Sequence, residues 1–109
     1  MGTRDTYDQS LRELDEKILS MAGHAADAVE HAMDALENSN AEEAQAVITG
    51  DDSIDREEHA IEHLCLGLIA SQQPVASDLR KVSTAMKVVT DLERLGDAAE
   101  DIAELSLRR

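Results

Sequence analysis

Two acidic sets repeat one spacing along the chain: Asp51, Asp55, Glu58 and Glu62, then Glu93, Asp97, Glu100 and Glu104. Each set runs i, i+4, i+7, i+11, which on a helix keeps its carboxylates within an arc of about 60°. Carboxylates aligned in this way repel their neighbours by a few tenths of a kcal/mol per pair. Two such stripes brought together therefore require cations or ample water. A donor set made only of oxygen suits Mg²⁺, Ca²⁺, Mn²⁺ or iron, and suits copper or a structural zinc poorly.

Acidic stripes also arise by chance in an acidic chain, and here 24 acids oppose 10 bases for a formal charge of −14. The first helical segment provides the comparison. Its Asp27, Glu30, Asp34 and Glu37 also share a face, but that face lies opposite the apolar seam, as solvated acids should. The other two stripes lie about 40° to 100° from Ile54 and Gly96, beside the seam, where neighbouring helices meet. Folding the second segment against the third about a turn near Gln73 sets Asp51 and Asp55 opposite Glu93 and Asp97. In that pairing Glu58, Glu62, Glu100 and Glu104 find no facing partner, which leaves Glu58 and Glu100 as ligands of second rank. The residues alone admit both a cation site and a solvated acidic groove.

Other chemistry is weakly represented. His59 and His63 stand four apart, but His-Ala-Ile-Glu-His lacks the glutamate position of the H-E-x-x-H metalloprotease motif, and both histidines point toward solvent. His24 and His31 read as surface residues too. No convincing Ser/His/Asp set, glycine-rich phosphate loop or G-x-S-x-G elbow is present. Glu30 beside His31 and Glu62 beside His63 miss the E-x-x-H spacing of carboxylate-bridged di-iron oxidases. An enzyme is not indicated.

The elements that must position the acids are helices. Strand-favouring residues are few, with one Tyr and no Phe or Trp, while Ala, Leu, Glu and Asp dominate. Apolar residues at Leu11, Leu14, Ile18, Met21, Ala25, Ala28 and Ala32 mark a helix over about 5–37. Asn38-Ser39-Asn40 interrupts it, and either asparagine could cap a second helix over about 41–70 with the seam Val47, Ile54, Ile61, Leu68. Ser71-Gln72-Gln73-Pro74 marks the next turn, and a third helix follows over about 75–107 with the seam Val82, Ala85, Val89, Gly96, Ala99, Ala103. Gly50 permits a kink, whereas Gly96 on the seam predicts a close helix contact. The expectation is all-α: one domain spanning residues 1–109, an antiparallel three-helix bundle of long helices.

The acidic field disfavours nucleic acid and favours cations and basic protein surfaces. Cys65, the single cysteine, excludes an internal disulfide and reads as a buried thiol among Leu64, Leu66 and Leu68. Neither an apolar leader core nor an 18-residue apolar run occurs, so a soluble cytoplasmic protein without membrane insertion is expected.

Three runs resemble the PhoU family of phosphate-uptake regulators: Gln73-Pro74-Val75-Ala76-Ser77-Asp78-Leu79-Arg80, Asp91-Leu92-Glu93-Arg94-Leu95-Gly96-Asp97, and Val47 to Asp51 continuing through Ile61 to Cys65. The resemblance extends from about Tyr7 to Glu104. It implies three-helix units whose E/D-x-x-x-D motifs bind iron or zinc clusters, here Asp51 to Asp55 and Glu93 to Asp97. It also implies negative regulation of phosphate uptake by a cytoplasmic adaptor between a phosphate-specific membrane transporter and a sensor histidine kinase. Family members commonly carry two tandem units, so this chain is expected to be either part of a longer protein or a single unit whose homodimer reproduces the six-helix arrangement by two-fold symmetry. In the same motif, Asp78 is expected to complement the dipole of the third helix, and Arg80 to pair with an acid or a partner. The competing reading is an acidic structural or oligomerisation bundle with no specific metal.

Overall fold

The computed structural model describes residues 3–71 and 74–109, and three helices account for nearly all of them: α1 (Thr3–Asn38), α2 (Ala41–Ala70) and α3 (Ala76–Leu107). The expected helix boundaries hold to within two residues, the usual scatter at helix ends. Gln72 and Gln73, at the centre of the expected second turn, lie outside the described residues.

Local chemistry sets the ends. Ser39 takes a positive φ of 53°, and the Asn40 N–H donates back to the Ala35 carbonyl at 2.9 Å, which closes α1. Asn40 then caps α2, its side-chain oxygen accepting from the Glu43 N–H at 3.0 Å. Asp78, at the third position of α3, accepts from the Val75 N–H at 3.2 Å and takes two hydrogen bonds from the Arg4 guanidinium. The dipole role expected of Asp78 is thus joined by an ion pair tying the start of α1 to the start of α3. That pairing holds the Asp78 carboxyl below the usual range, with the Arg4 hydrogen bonds the largest cause. The Arg4 guanidinium also lies 5.4 Å from the Tyr7 ring centroid, and the Tyr7 hydroxyl donates to the Leu68 carbonyl at 3.3 Å.

The molecule is a rod of 57 × 21 × 16 Å, with α1 and α3 parallel and α2 antiparallel between them in chain order. Two apolar clusters follow one another along its axis. One is built from Leu14, Met21, Ile61, Cys65, Val82 and Val89, all essentially inaccessible, and the other from Ala32, Ala35, Ala44, Val47, Ala99 and Ala103. Small side chains in the second cluster let the helix axes approach closely. Helix α2 runs unbroken through Gly50, so Asp51 and Asp55 keep the helical spacing on which their shared face depends. Cys65 is buried and free.

Candidate metal centre

The acidic flanks of α2 and α3 meet midway along the rod. Asp51 and Asp55 from α2 and Asp97 from α3 each bring one carboxylate oxygen to within 4.8 Å of the others, a spacing that one cation can span. Burial falls steeply across this group: Asp51 is 8% exposed, Asp55 is partly buried and Asp97 lies open to solvent. The trio therefore forms a half-open site with one deep ligand.

Gly96 makes the deep position possible. A Cβ at Gly96 would stand 3.1 Å from Asp51 Oδ1 and 3.3 Å from two carbons of Ile54, so only a bare backbone lets both side chains lie where they do. The close approach expected at Gly96 is present, and what it accommodates is the site. Asp51 Oδ1 is buried and has no hydrogen-bond partner in the described structure. An orphaned carboxylate oxygen beside two further carboxylates is costly, and a cation is the ligand that relieves it.

The remaining acids extend the trio in both directions. Glu93, the fourth expected ligand, sits one turn from Asp97, hydrogen-bonded to it and next to Glu58. That hydrogen bond, then burial, then the Glu58 charge raise Glu93 to about 7. Glu100 lies beside the Asp51 carboxyl and is raised to about 7, first by the hydrogen bond that a protonated Glu100 would give Asp51, then by burial and by the Asp51 charge. Asp51 is itself raised, first by burial, with Glu100 opposing and the charges of Asp55, Asp97 and Asp52 adding. Protons shared between acids stand where positive charge is wanted.

Two expectations need correction. Glu58 and Glu100 do have facing partners, Glu93 and Asp51 respectively. The contact of Glu58 with Glu93 centres the α2–α3 hairpin between Val75 and Ala76, past Gln73, since α2 ends at Ala70 and α3 begins only at Ala76. Shifting the register by about one turn brings the second-rank acids into line. His59, although exposed as expected, groups with Glu58 and Glu62, their ligand atoms within 4.8 Å, so an imidazole borders the acidic face. His24 and His31 are exposed as well, but each holds a glutamate of α2 at 2.9 Å, Glu57 and Glu43 respectively. The comparison stripe on α1 is solvated as expected, with Asp27, Glu30, Asp34 and Glu37 all exposed.

The PhoU domain family matches residues 18–106 of this chain. It belongs to the PhoU family. Among PhoU relatives, the phosphate-specific transport system accessory protein PhoU homologue of Aquifex aeolicus is 44% identical over 99 residues, 91% of this chain and 45% of its own. The homologue from Clostridium acetobutylicum is 45% identical over 103 residues, and the Escherichia coli PhoU accessory protein 33% identical over 103. Crystal structures of PhoU from Streptococcus pneumoniae and Pseudomonas aeruginosa superpose with TM-scores of 0.89 and 0.91, each 34% identical. Both superpositions cover 94% of this chain and 49% of the other. The chain thus spans about half the length of the PhoU proteins it matches.

Proposed function

We propose that this PhoU unit is a non-enzymatic, cytoplasmic regulator of phosphate uptake whose working element is a cation held between α2 and α3. Asp51, Asp55 and Asp97 supply the primary oxygens, with Glu93 completing the set. Glu58 and Glu100 stand beside them. The observation that carries the reading is Asp51 Oδ1, buried and unpartnered at the bottom of a three-carboxylate group. A bound cation would neutralise this charge and brace the two helices together. Iron, Mn²⁺, Mg²⁺ and Ca²⁺ all suit the oxygen donors of the trio, and His59 beside Glu58 and Glu62 adds a nitrogen donor compatible with zinc or iron.

The relatives' role as accessory proteins of a phosphate-specific transport system gives the reading its biological setting. On this proposal the unit docks on components of the phosphate transporter and of its sensor histidine kinase. No described helix is long and apolar enough to cross a membrane, so the proposed contacts are made from the membrane's surface. Phosphate uptake in a host deprived of its own PhoU tests the role. The wild-type chain should restore low uptake under phosphate excess, and an Asp51→Asn plus Asp97→Asn variant should not. Full restoration by the variant would remove the cation from the function.

One observation favours the competing structural bundle. Glu93 and Glu100, each raised to about 7, let the cluster relieve part of its repulsion with protons alone. That reading requires the carboxylates to be replaceable with no loss of bound metal.

A further inference from the structure

A trough runs between α1 and α2, and it encloses about 630 Å³, within the range of cavities that bury a ligand. Its floor is apolar, with Val47 and Ile54 of α2 almost wholly buried and Ala28 contributed by α1. Ala46 and Gly50, one turn apart and exposed, form its α2 wall. At 100° per residue from Ile54 those two fall on one flank of α2, and Asp51 and Asp55 on the other. A Cβ at Gly50 would meet nothing within 4 Å, so contacts inside this chain do not demand the glycine as they demand Gly96. Its missing side chain keeps the trough open.

The rim is acidic. His24 holds Glu57 and His31 holds Glu43, each at 2.9 Å, and the two pairs bracket the trough at its ends. Both imidazoles are exposed, and a neutral one leaves the charge of its glutamate in place. Asp27, between the two histidines in sequence, lines the trough and forms no ion pair among the described residues. No lysine or arginine lines it, although Arg56 reaches Ser53 at the Glu57 end. From Glu43 to Ile54 the trough follows about 16 Å of α2, the length of three helical turns.

We propose that this trough seats a basic amphipathic helix of a protein partner. The two helices that wall it leave room for a third laid along them, and Ala28, Ala46 and Gly50 let the incoming backbone approach closely. Aliphatic side chains repeating at helical spacing would cover Val47 and Ile54, and lysines or arginines flanking that row would meet Asp27, Glu43 and Glu57. Charge selects this occupant. An acidic helix or an anionic lipid surface would be repelled by the rim, and a second copy of a chain carrying −14 is disfavoured for the same reason. A polyamine would satisfy the carboxylates but leave the apolar floor uncovered. The inference rests on the adaptor role proposed above for the partner's being a protein, and it does not depend on the cation.

Fluorescence anisotropy of the purified chain in chelator tests it, with a labelled synthetic helix of about 15 residues carrying Leu and Ala on one face and Lys on both flanks. This peptide should bind saturably, one per chain. A scrambled peptide of the same composition should bind at least tenfold more weakly, and a version with Glu in place of Lys should not bind. Ala46→Leu plus Gly50→Leu, which fills the trough from exposed positions, should weaken binding at least tenfold. Asp27→Asn plus Glu43→Gln should do so at low salt, with less effect at high salt. Asp51→Asn plus Asp97→Asn should bind the peptide as wild type does, so failure of the cation reading leaves this result standing. Helix content by circular dichroism confirms that each variant is folded. Absence of saturable binding, equal binding of the scrambled peptide, or a loss in the Asp51 and Asp97 variant with none in the trough variants would overturn the proposal. So would displacement of the peptide by spermidine at equal charge, or self-association of the chain that the Ala46 and Gly50 changes abolish.

Discussion

Gly96 and Asp51 occupy one space: a Cβ at Gly96 would lie 3.1 Å from Asp51 Oδ1. The glycine weakens α3 by about 1 kcal/mol relative to alanine, and in return the deepest carboxylate of the candidate centre lies against bare backbone. Gly96→Ala should therefore recover helix propensity while displacing Asp51 and Ile54. The expected result is a melting temperature near that of wild type, to within about 1 kcal/mol, with cation affinity reduced at least tenfold. Isothermal titration with Mn²⁺ checks it; unchanged affinity would mean that Asp51 has room to yield.

Asp51→Asn keeps the shape of the side chain and removes a charge that burial and three neighbouring aspartates disfavour. The metal-free variant should be more stable than wild type, yet should gain little stability from added cation. Thermal melts with and without Mn²⁺ measure both effects. A less stable metal-free variant would show that the buried carboxylate is already well accommodated.

Glu93 and Glu100 have values near 7 in the folded chain against an ordinary 4.5. A carboxyl raised by folding favours the native state while protonated, so its contribution is complete below about 4.5 and is lost as pH climbs through about 7. His31, raised first by its hydrogen bond to Glu43, acts in the same direction. The metal-free chain should thus melt several degrees lower at pH 8 than at pH 5, and saturating cation should flatten or reverse that trend. A pH-independent melting temperature in chelator would contradict the proton-sharing cluster.

Asp78 both caps α3 and receives Arg4. Asp78→Ala should lower the melting temperature more than Arg4→Ala, because the alanine removes the cap together with the ion pair. Acidification through the depressed range of Asp78 should weaken wild type and spare the Asp78→Ala chain. Equal melting losses in the two variants would assign the whole effect to the ion pair.

The helices were legible because periodicity, Asn40 and Pro74 punctuate the chain strongly, and Gly96 announced a close contact. Asp51, Asp55 and Asp97 were legible because helical spacing alone put them beside the apolar seam. Hairpin register was harder to read. Misplacing its centre by two or three residues moves one helix by about a turn against the other, which hid the contacts of Glu58 with Glu93 and of Glu100 with Asp51. The stripe pattern already contained both acids, but sequence spacing fixes the face of a helix and leaves its height against a neighbour undetermined. Arg4 with Asp78 and His31 with Glu43 join side chains on different helices, and nothing in local spacing encodes such pairs.

The central claim is that Asp51, Asp55, Glu93 and Asp97 hold a cation, and elemental analysis tests it most directly. Wild type and an Asp55→Ala plus Asp97→Ala variant, purified in parallel and exchanged into metal-free buffer, are compared for bound metal per chain. The account predicts at least one equivalent on wild type and less than a tenth of that on a variant of equal helix content. Equal, substoichiometric metal on both would contradict it and leave the acidic bundle as the better description.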